Sequence, residues 1–264
     1  MKPNEIRMWR PRRWQDFVGA ANRRTVERLQ RAVIRREPPR PMLFIGPYGS
    51  AKTSLARHLI ASICCENPSA GGDPCCVCRE CVYQGSEHNG MGAKFAHWEL
   101  DCTRFSDRAE VRQTVLAILA EERVAVFWDE FQRLRVKSAQ ALLLKPSEDI
   151  RGLWMLAMTD DQYRRMDPQL FERFRKVWLT TPTVAETVSF FVGKTIEWQI
   201  GASEEIVALM VAATQRSFRS CLDLLAAGAE NHDRTLDQKT LEEFLSLDPA
   251  LNDTPPAFVG IGEQ

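Results

Sequence analysis

The sequence predicts an α/β domain built on a mainly parallel sheet, followed by a small all-helical domain. Short apolar runs alternate with segments of helical periodicity over residues 1–180, which is the pattern of βαβ units. One such run, Met42–Ile45, leads through a short turn directly into a helical pattern, as in a phosphate-binding loop. Beyond residue 181 only helical spacing remains. We therefore expect domains at 1–180 and 181–248, and a disordered tail at 249–264.

Composition and charge restrict the class of protein. Hydrophobic residues make up 44% of the 264, enough for real cores, but no apolar run approaches the roughly 18 residues of a membrane span. The N-terminus lacks the apolar segment of a secretory signal, so we expect a cytoplasmic protein. The net charge is zero, yet residues 1–40 carry twelve Lys and Arg side chains against four acidic ones. Such a segment fits contact with nucleic acid or nucleotide phosphates, and a solvated helix face would give the same pattern.

The basic segment begins with Trp9-Arg10-Pro11, which is either a stiff cap on an adenine pocket or an arm packed on the core. A helix follows, because four apolar residues recur at helical spacing: Val26, Leu29, Val33 and Ile34. The prolines at 38, 39 and 41 end this helix and force an extended entry into the strand at Met42.

The loop after this strand is the first candidate site. It comprises Gly46, Pro47, Tyr48, Gly49, Ser50 and Ala51, and the next helix starts with Lys52, Thr53 and Ser54. Loop N–H groups and the positive helix end would hold an anion, with Lys52 on the terminal phosphates and Thr53 on Mg²⁺. Ala51 replaces the usual Gly, which costs about 1 kcal/mol if the backbone there is left-handed and nothing otherwise. An ordinary turn that contains Lys-Thr is the alternative.

Eight cysteines in a chain expected to be cytoplasmic indicate metal binding or packing rather than disulfides. Cys75, Cys78 and Cys81 recur at steps of three, and Cys65 ends the helix that follows the loop. Four thiolates in a segment rich in Gly and Pro predict a structural zinc module at 64–82. The other cysteines are expected to be spare (Cys64, Cys76) or to pack in a core (Cys102, Cys221).

Two acids at the end of a buried strand are the second candidate site. The strand Val124–Trp128 ends in Asp129 and Glu130, after a strand at 95–100 and a helix at 108–120. In a nucleotide-hydrolysis site, Asp129 would bind Mg²⁺ through water and Glu130 would polarise the attacking water. A pair of surface acids at a strand end is the alternative.

The remaining elements complete both domains. We expect a helix at 138–144, a strand Leu153–Ala157 that leads to Thr159, and a strand Lys176–Leu179. Thr159 is placed to sense a terminal phosphate, although Thr is also ordinary at a strand end. Helical patterns then run through four segments: Val184–Glu197, Ser203–Ala213, Phe218–Asn231 and Lys239–Leu247.

This order of features resembles the clamp-loader branch of the AAA+ ATPases, and within it the bacterial DNA polymerase III gamma/tau family, over about residues 5–248. The matching residues are Trp9-Arg10-Pro11, Phe17-Val18-Gly19, the loop from Gly46 to Ser54, Cys65-Glu66 with Pro74 to Cys81, Trp128-Asp129-Glu130, Ala141-Leu142-Leu143, Ala157 to Asp160 and Ser217-Phe218-Arg219. The zinc insertion is the most specific of them, because most other AAA+ branches lack it. The resemblance implies an AAA+ ATPase domain with a zinc-binding insertion and a helical lid domain.

The resemblance also implies individual roles. Lys52, Thr53, Asp129 and Glu130 would form the ATP and Mg²⁺ site, together with Trp9-Arg10-Pro11 and the loop. Thr159 would be sensor 1 and Arg219 sensor 2, while Arg173 would act as a finger on the ATP of a neighbouring subunit. In this chain Glu172 and Phe174 flank Arg173 in place of the family's Ser and Cys, and Gln215-Arg216 replaces Glu-Gly. The first departure keeps the charge but leaves the setting of the finger open, and the second lies before the sensor 2 helix.

The expectation from the resemblance is an ATPase that uses ATP, Mg²⁺ and structural Zn²⁺ and acts in DNA replication. Its partners would be other clamp-loader subunits, a sliding clamp and primer–template DNA, with no membrane contact and with ATP-dependent oligomerisation. The sequence leaves no room for the family's collar domain. One alternative is a catalytically weak, stator-like subunit, which Ala51 favours and the four catalytic side chains oppose. Another is an AAA+ ATPase repurposed for another DNA transaction or for defence.

Overall fold

The computed structural model describes residues 1–37, 40–82, 96–134, 142–143, 152–166 and 171–247. Five parallel strands form one sheet in the order β2-β3-β4-β1-β5. They are β1 (Met42–Ile45), β2 (Ala96–Asp101), β3 (Val124–Asp129), β4 (Gly152–Met158) and β5 (Arg175–Trp178). The predicted parallel α/β class is confirmed, and β4 lies between the strand that leads to the loop and the strand that ends in the acids.

The strands were predictable because helices cover both faces of the sheet, so the central strands read as continuous apolar runs. Every residue of β1 is buried, as are the first five of β3. On one face Trp128 and Trp154 pack with helix α5 (Arg108–Leu119). On the other face Phe44 and Phe127 pack with α2 (Ala20–Ile34) and α3 (Lys52–Cys64). Each large side chain so buried contributes about 1.5–3 kcal/mol.

The other helices are α1 (Pro3–Arg7), α4 (Arg79–Val82), α6 (Asp160–Arg165), α7 (Val184–Trp198), α8 (Glu204–Ala213), α9 (Phe218–Glu230) and α10 (Gln238–Leu247). Side-chain caps mark where several helices begin, which is why their starts could be predicted. Asp107 accepts a hydrogen bond from the Glu110 N–H at 2.9 Å at the start of α5. Thr183 and Glu186 form a capping box on α7, and Ser203 caps α8.

The chain divides into two units, one of residues Arg10–Thr181 and one that joins Met1–Trp9 to the chain from Pro182 onward. The domain expected at 1–180 therefore differs at its start, since residues 1–9 belong to the helical unit. Ile6 is fully buried in that unit's core, and Arg7 Nη1 lies 2.7 Å from Glu230 Oε1. A helix of five residues is too short for its apolar side to show as a periodicity.

Two expectations lie partly or wholly outside the described residues. Of the helix expected at 138–144, only Leu142 and Leu143 are described, and they are helical. The expected tail at 249–264 lies outside the description altogether. Helix α6 was not predicted, because six residues make fewer than two turns. None of the described helices combines the length and apolarity that a membrane crossing needs.

His58 is a buried titratable group in the first unit. It lies on α3, is 2% exposed, and its ring packs edge-on against Trp14 and Phe17 with centroids at 4.5 and 5.3 Å. Nε2 is 3.8 Å from Asp73 Oδ1 and forms no hydrogen bond within the described residues. Burial lowers the pKa of His58 to about 4, although the charge of Asp16 opposes this.

We expect this histidine to make the protein less stable in mild acid. Above pH 6.5 it is neutral in both states, whereas between pH 6.5 and about 4 only the unfolded chain takes up the proton, so stability falls as pH falls. Lowering the pH from 7 to 5 should cost about 2 kcal/mol through this residue alone. Denaturant unfolding at both pH values should show that loss in the parent and a loss about 2 kcal/mol smaller in His58→Gln. The exposed His232→Gln is the matched control, and an equal loss in all three proteins would contradict the assignment.

Candidate functional site

The loop after β1 is closed by contacts that only small residues permit. A Cβ on Gly46 would lie 2.3 Å from the backbone oxygen of Leu179, so a side chain there would collide with the chain after β5. Gly49 has φ +77°, a left-handed conformation that glycine adopts without strain. The Ser50 hydroxyl donates to the Pro47 carbonyl at 2.8 Å and holds the turn. Tyr48 projects outward from the turn and is exposed.

Ala51 has the left-handed conformation that the sequence left open, with φ 65° and ψ 22°. This residue immediately precedes Lys52, at the N-terminus of α3. For an L-residue with a Cβ that conformation costs about 1–2 kcal/mol. This cost explains why glycine is usual at this position. In this chain alanine adopts the same backbone conformation.

Lys52 is 7% exposed and lies inside the loop. Its Nζ donates to the carbonyls of Gly46 and Pro47 at 2.9 and 2.8 Å. Burial lowers the pKa of Lys52, and the charges of Glu130, Asp129 and Asp160 oppose that shift. The ammonium therefore faces a carboxylate-rich region at the C-terminal edge of the sheet.

Thr53 and Asp129 join the loop helix to β3. The Thr53 hydroxyl donates to Asp129 Oδ2 at 2.7 Å, and Asp129 Oδ1 accepts from the Glu130 N–H at 2.9 Å. Burial raises the pKa of Asp129, while these two hydrogen bonds oppose the rise. The two oxygens are close enough to serve one Mg²⁺ ion, which Thr53 would hold directly and Asp129 through water. They are also the hard oxygen ligands that Mg²⁺ prefers.

Glu130 follows Asp129 with a left-handed backbone, φ 51° and ψ 41°, and starts a short 3₁₀ turn at Phe131–Arg133. Burial raises the pKa of Glu130, and the charge of Asp129 adds to the rise. The Gln132 amide donates to Glu130 Oε2 and fixes the carboxylate. Non-glycine residues in such conformations cluster at functional sites, where the surrounding structure enforces them. No pattern in the sequence pointed to Gln132 as a site residue.

Thr159 lies directly after β4 and is 6% exposed. Met158, the last residue of β4, pairs with Ile45 at the end of β1, and its carbonyl accepts from the Gly46 N–H at 3.4 Å. Because β4 separates β1 from β3, Thr159 lies between the strand ends that carry the loop and the acids. Ser54, the last loop residue of the expected site, follows Thr53 on α3 and is half-buried.

An ion pair that the sequence did not reveal supports this site. Arg57 Nε on α3 donates to both carboxylate oxygens of Glu99 on β2 at 3.0 Å. Arg57 is four residues after Thr53, so both lie on one face of the helix. The charge of Glu99 raises the pKa of Asp129, and the Arg57 guanidinium offsets that charge. The sequence contained only two signals of this ion pair. They are an arginine one helical turn after the Lys-Thr pair and an acidic residue within a β-strand.

The predicted finger residue does not join this cluster. Arg173 is exposed, at the N-terminal ends of the strands, where it lines a cleft of about 1160 Å³ with Arg36, Arg40 and Arg175. Arg173 is therefore at the sheet edge opposite its own phosphate loop. Phe174 beside it is buried in the core.

The N-terminal and sensor 2 residues fall in two units. Arg10 and Pro11 begin the first unit and are half-buried. Trp9 belongs to the helical unit, where its ring lies 5.6 Å from Phe190 and 4.8 Å from the Lys194 ammonium. Arg219 is on α9 of the same unit.

The four predicted zinc ligands converge. The sulfurs of Cys65, Cys75, Cys78 and Cys81 all lie within 4.8 Å of one another, with Cys75–Cys81 at 3.9 Å and Cys65–Cys78 at 4.0 Å. Four thiolates at 2.3 Å from a tetrahedral ion would be about 3.8 Å apart, so the cluster is compatible with zinc. The Cys75 N–H donates to Cys65 Sγ at 3.2 Å, and hydrogen bonds from the Val77 and Cys78 N–H groups lower the pKa of Cys75 to about 6.

The remaining cysteines lie outside this cluster. Cys64 is buried among the apolar residues that pack on one face of the sheet. Cys76 is exposed and has a left-handed backbone that allows the tight turn between two ligands. Cys102 and Cys221 are fully buried in the two unit cores, as expected for small apolar residues.

The cysteine module is fastened to the rest of the first unit. Glu80 on α4 is buried, and its carboxylate lies 3.2 Å from His97 Nε2 on β2. On the other side, the Trp14 indole donates to the Gly72 carbonyl at 3.0 Å and the Gln30 amide donates to Gly71 at 2.8 Å. The module thus contacts both the sheet and helix α2.

Comparisons with known proteins agree with this fold. Three solved structures of Thermotoga maritima RuvB, the Holliday junction branch migration motor and two of its variants, give TM-scores of 0.59, 0.63 and 0.61 at 18%, 15% and 21% identity. The similarity covers 90% of this chain and 72–74% of those chains. The chain therefore has the AAA+ P-loop ATPase fold.

Sequence similarity is more limited. DNA polymerase III subunit tau of Bacillus subtilis strain 168 is 33% identical over 75 residues, which is 28% of this chain and 13% of that protein. No protein-family model matches the chain.

The left-handed backbone of Ala51 gives a test that needs no ligand. Ala51→Gly should increase the free energy of unfolding by about 0.5–1 kcal/mol, because the steric strain removed exceeds the entropy that glycine adds to the unfolded chain. The matched control is Ala61→Gly in the same helix, which should destabilise by about 1 kcal/mol or more because its backbone is ordinary helix. Denaturant unfolding of the three proteins measures both changes. Two changes of the same sign would show that the loop does not hold Ala51 in this conformation.

Proposed function

We propose that this chain binds and hydrolyses ATP as a subunit of the clamp-loader type and acts in DNA replication. The observation that carries the ATPase part is the contact between Thr53 and Asp129, which brings the loop helix and the acid-bearing strand to one point. Lys52 directly precedes Thr53 and Glu130 directly follows Asp129 in the chain. If the loop were an ordinary turn and the two acids a surface pair, there would be no physical reason for these residues to lie together.

Each residue has a physical task in this proposal. The loop N–H groups and Lys52 bind the phosphates. When the phosphates bind, the Lys52 ammonium would exchange its hydrogen bonds to the carbonyls of Gly46 and Pro47 for contacts with phosphate oxygens. Thr53 and Asp129 hold Mg²⁺, which when bound neutralises charge on the phosphates. Glu130 accepts a proton from the attacking water, and its raised pKa makes it a stronger base than a solvated glutamate. Thr159 lies where a hydroxyl can contact the terminal phosphate.

Assembly would complete the site. Arg173 lies at the opposite sheet edge from its own loop, which supports a role on the ATP of a neighbouring subunit. Sensor 2 is assigned to Arg219 by the resemblance alone. For Trp9, the contacts with Phe190, Trp198 and Lys194 support the packing alternative over an adenine cap. We expect a monomer without nucleotide and oligomers with ATP, DNA or partner subunits.

The clamp-loader assignment is the finer part of the proposal. Its support is the 75-residue similarity to a DNA polymerase III tau subunit together with the four-cysteine insertion. Other clamp-loader subunits, a sliding clamp and primer–template DNA would then be the partners, and the cytoplasm the location. Because the match covers 13% of that relative, its assembly is a proposal for this chain.

Two other functions have one observation each in their favour. The strained Ala51 favours a stator-like subunit with weak catalysis. Similarity of fold to a branch migration motor favours an ATPase repurposed for another DNA transaction. Partners captured with the native protein from its own cells would separate the second function from the clamp-loader type, because only a clamp-loader subunit requires a sliding clamp among them. ATP turnover by the protein with its captured partners would separate a clamp-loader ATPase from a stator-like subunit.

Two variants should separate binding from hydrolysis. Lys52→Ala should weaken ATP binding at least tenfold, because it removes the charge that faces the phosphates. Glu130→Gln should retain ATP affinity but slow hydrolysis by about 10²–10⁴-fold, because an amide cannot act as the base. Calorimetry measures the first and phosphate release the second. The exposed Glu122→Gln is the control for the lost carboxylate, and equal hydrolysis by Glu130→Gln and the parent would refute the assigned base.

The cysteine cluster should hold one zinc ion per chain with a structural role. Four thiolates leave no open position for water, so catalysis at the metal is not expected. Elemental analysis should give one zinc for the parent and a clear deficit for Cys78→Ser, whose thermal stability should also fall. Cys76→Ser changes the adjacent cysteine outside the cluster and should keep the zinc. A parent protein without stoichiometric metal would refute this site.

A further inference from the structure

Helix α2 and its C-cap residue, Arg35, carry four arginines along the side that faces away from the protein core. At 100° per residue, Arg24, Arg28, Arg31 and Arg35 fall within about 60° of one another around the helix axis. We call these four residues the arginine stripe. The buried residues of the helix, Asn22, Val26 and Leu29, lie nearly opposite. The stripe extends over about 16 Å, at 1.5 Å per residue, and is exposed throughout.

The charge of the stripe is poorly compensated by the protein itself. Among the described residues, Arg24 and Arg28 form no ion pair, and Arg31 Nε donates only to the Glu27 carbonyl at 3.3 Å. Arg35 Nη1 is 3.8 Å from Glu37 Oε1, with both side chains largely in water. Like charges three and four residues apart destabilise a helix, so this arrangement works against folding. Sequences that break a local rule in this way often do so at a functional surface.

The positive region continues onto the edge of the sheet. Arg175 is on β5, the edge strand next to α2, and is only partly exposed. Burial lowers the pKa of Arg175, and the nearby charges of Arg28 and Arg40 lower it further, while the charge of Glu37 opposes them. Arg28 and Arg40 are therefore near enough for their charges to act on Arg175. With equal numbers of acidic and basic residues in the whole chain, this is a local concentration of charge.

We propose that the arginine stripe binds the phosphate backbone of DNA without reading its sequence. The partner must be anionic, and every stripe residue is arginine, whose planar fork fits phosphate in a bidentate manner. An anionic membrane fits less well, because the apolar face of α2 is buried in the core and cannot enter a bilayer. An acidic protein would need apolar anchor residues, and of the large apolar residues on α2, all of which is described, only Ile34 at the helix end is exposed. Contacts to phosphate alone carry no sequence information.

The inference deepens the proposed function by naming a DNA-contacting surface, and it is tested without ATP. The probe is a fluorescent 30-base-pair duplex of mixed sequence, titrated by anisotropy from 50 to 200 mM salt. The test variant is Arg24→Gln/Arg28→Gln/Arg31→Gln. The matched control is Arg108→Gln/Arg112→Gln/Arg123→Gln, which also removes three exposed arginines but from helix α5 and the loop before β3, on the other face of the sheet. Circular dichroism establishes that all proteins are folded.

The stripe variant should bind at least tenfold more weakly, and the slope of log K against log salt should lose about 2–3 units for three lost phosphate contacts. The control should keep the parent slope, and replacement of the same three arginines by lysine should keep most of it. Equal slopes for parent and stripe variant, equal losses in both triple variants, or no duplex binding by the parent would each overturn the proposal. So would capture of the parent by vesicles with 30% anionic lipid in preference to DNA. ATP hydrolysis without DNA should be unchanged in the stripe variant, and a parent without hydrolysis would refute the ATPase proposal alone.

Discussion

The hydrogen bond between the Thr53 hydroxyl and Asp129 depends on the order of the strands. In a parallel sheet all C-terminal strand ends lie at one edge, so a loop after one strand and acids after another share that edge. Here β4 separates the two strands, and helix α3 must begin at a position from which Thr53 reaches across to β3. The collision that a side chain on Gly46 would cause with Leu179 keeps the start of the loop close to the sheet. The rest of the site follows from that position.

Two strained backbone positions lie at this point. Ala51 and Glu130 both have left-handed conformations that glycine would adopt more cheaply, and they adjoin Lys52 and Asp129. The described residues include six other non-glycine positions with positive φ, such as Cys76 in the cysteine module and Gln199 at the end of α7. Left-handed residues directly beside Lys52 and Asp129 are nevertheless what is expected where stability is sacrificed for geometry.

What the sequence could predict depended on the range of the interactions. The strands, the helix starts and the four clustered cysteines were predictable because each is encoded within about twenty residues. The pair Arg57–Glu99 was not, because its members are 42 residues apart. Glu80 and His97 are only 17 residues apart, but single charged residues in a strand and a short helix give no periodic signal. The nine N-terminal residues were assigned to the wrong unit for a similar reason: their partners lie near the other end of the described chain. Ala51 could be identified as unusual, but only the structure supplies its backbone angles.

Strand β2 carries His97, Glu99 and Asp101 at alternate positions, hence on one face. His97 meets the cysteine module through Glu80, Glu99 meets the loop helix through Arg57, and Asp101 accepts a hydrogen bond from the Thr103 N–H at 2.9 Å in the turn that follows. Strand β2, which pairs with one other strand among the described residues, is therefore the common support of the cysteine module and of the helix that starts the candidate nucleotide site. The module is accordingly not an autonomous unit. Its amides should exchange with solvent in the same cooperative opening as those of β2, so that loss of the proposed zinc ion would partly unfold the candidate nucleotide site as well.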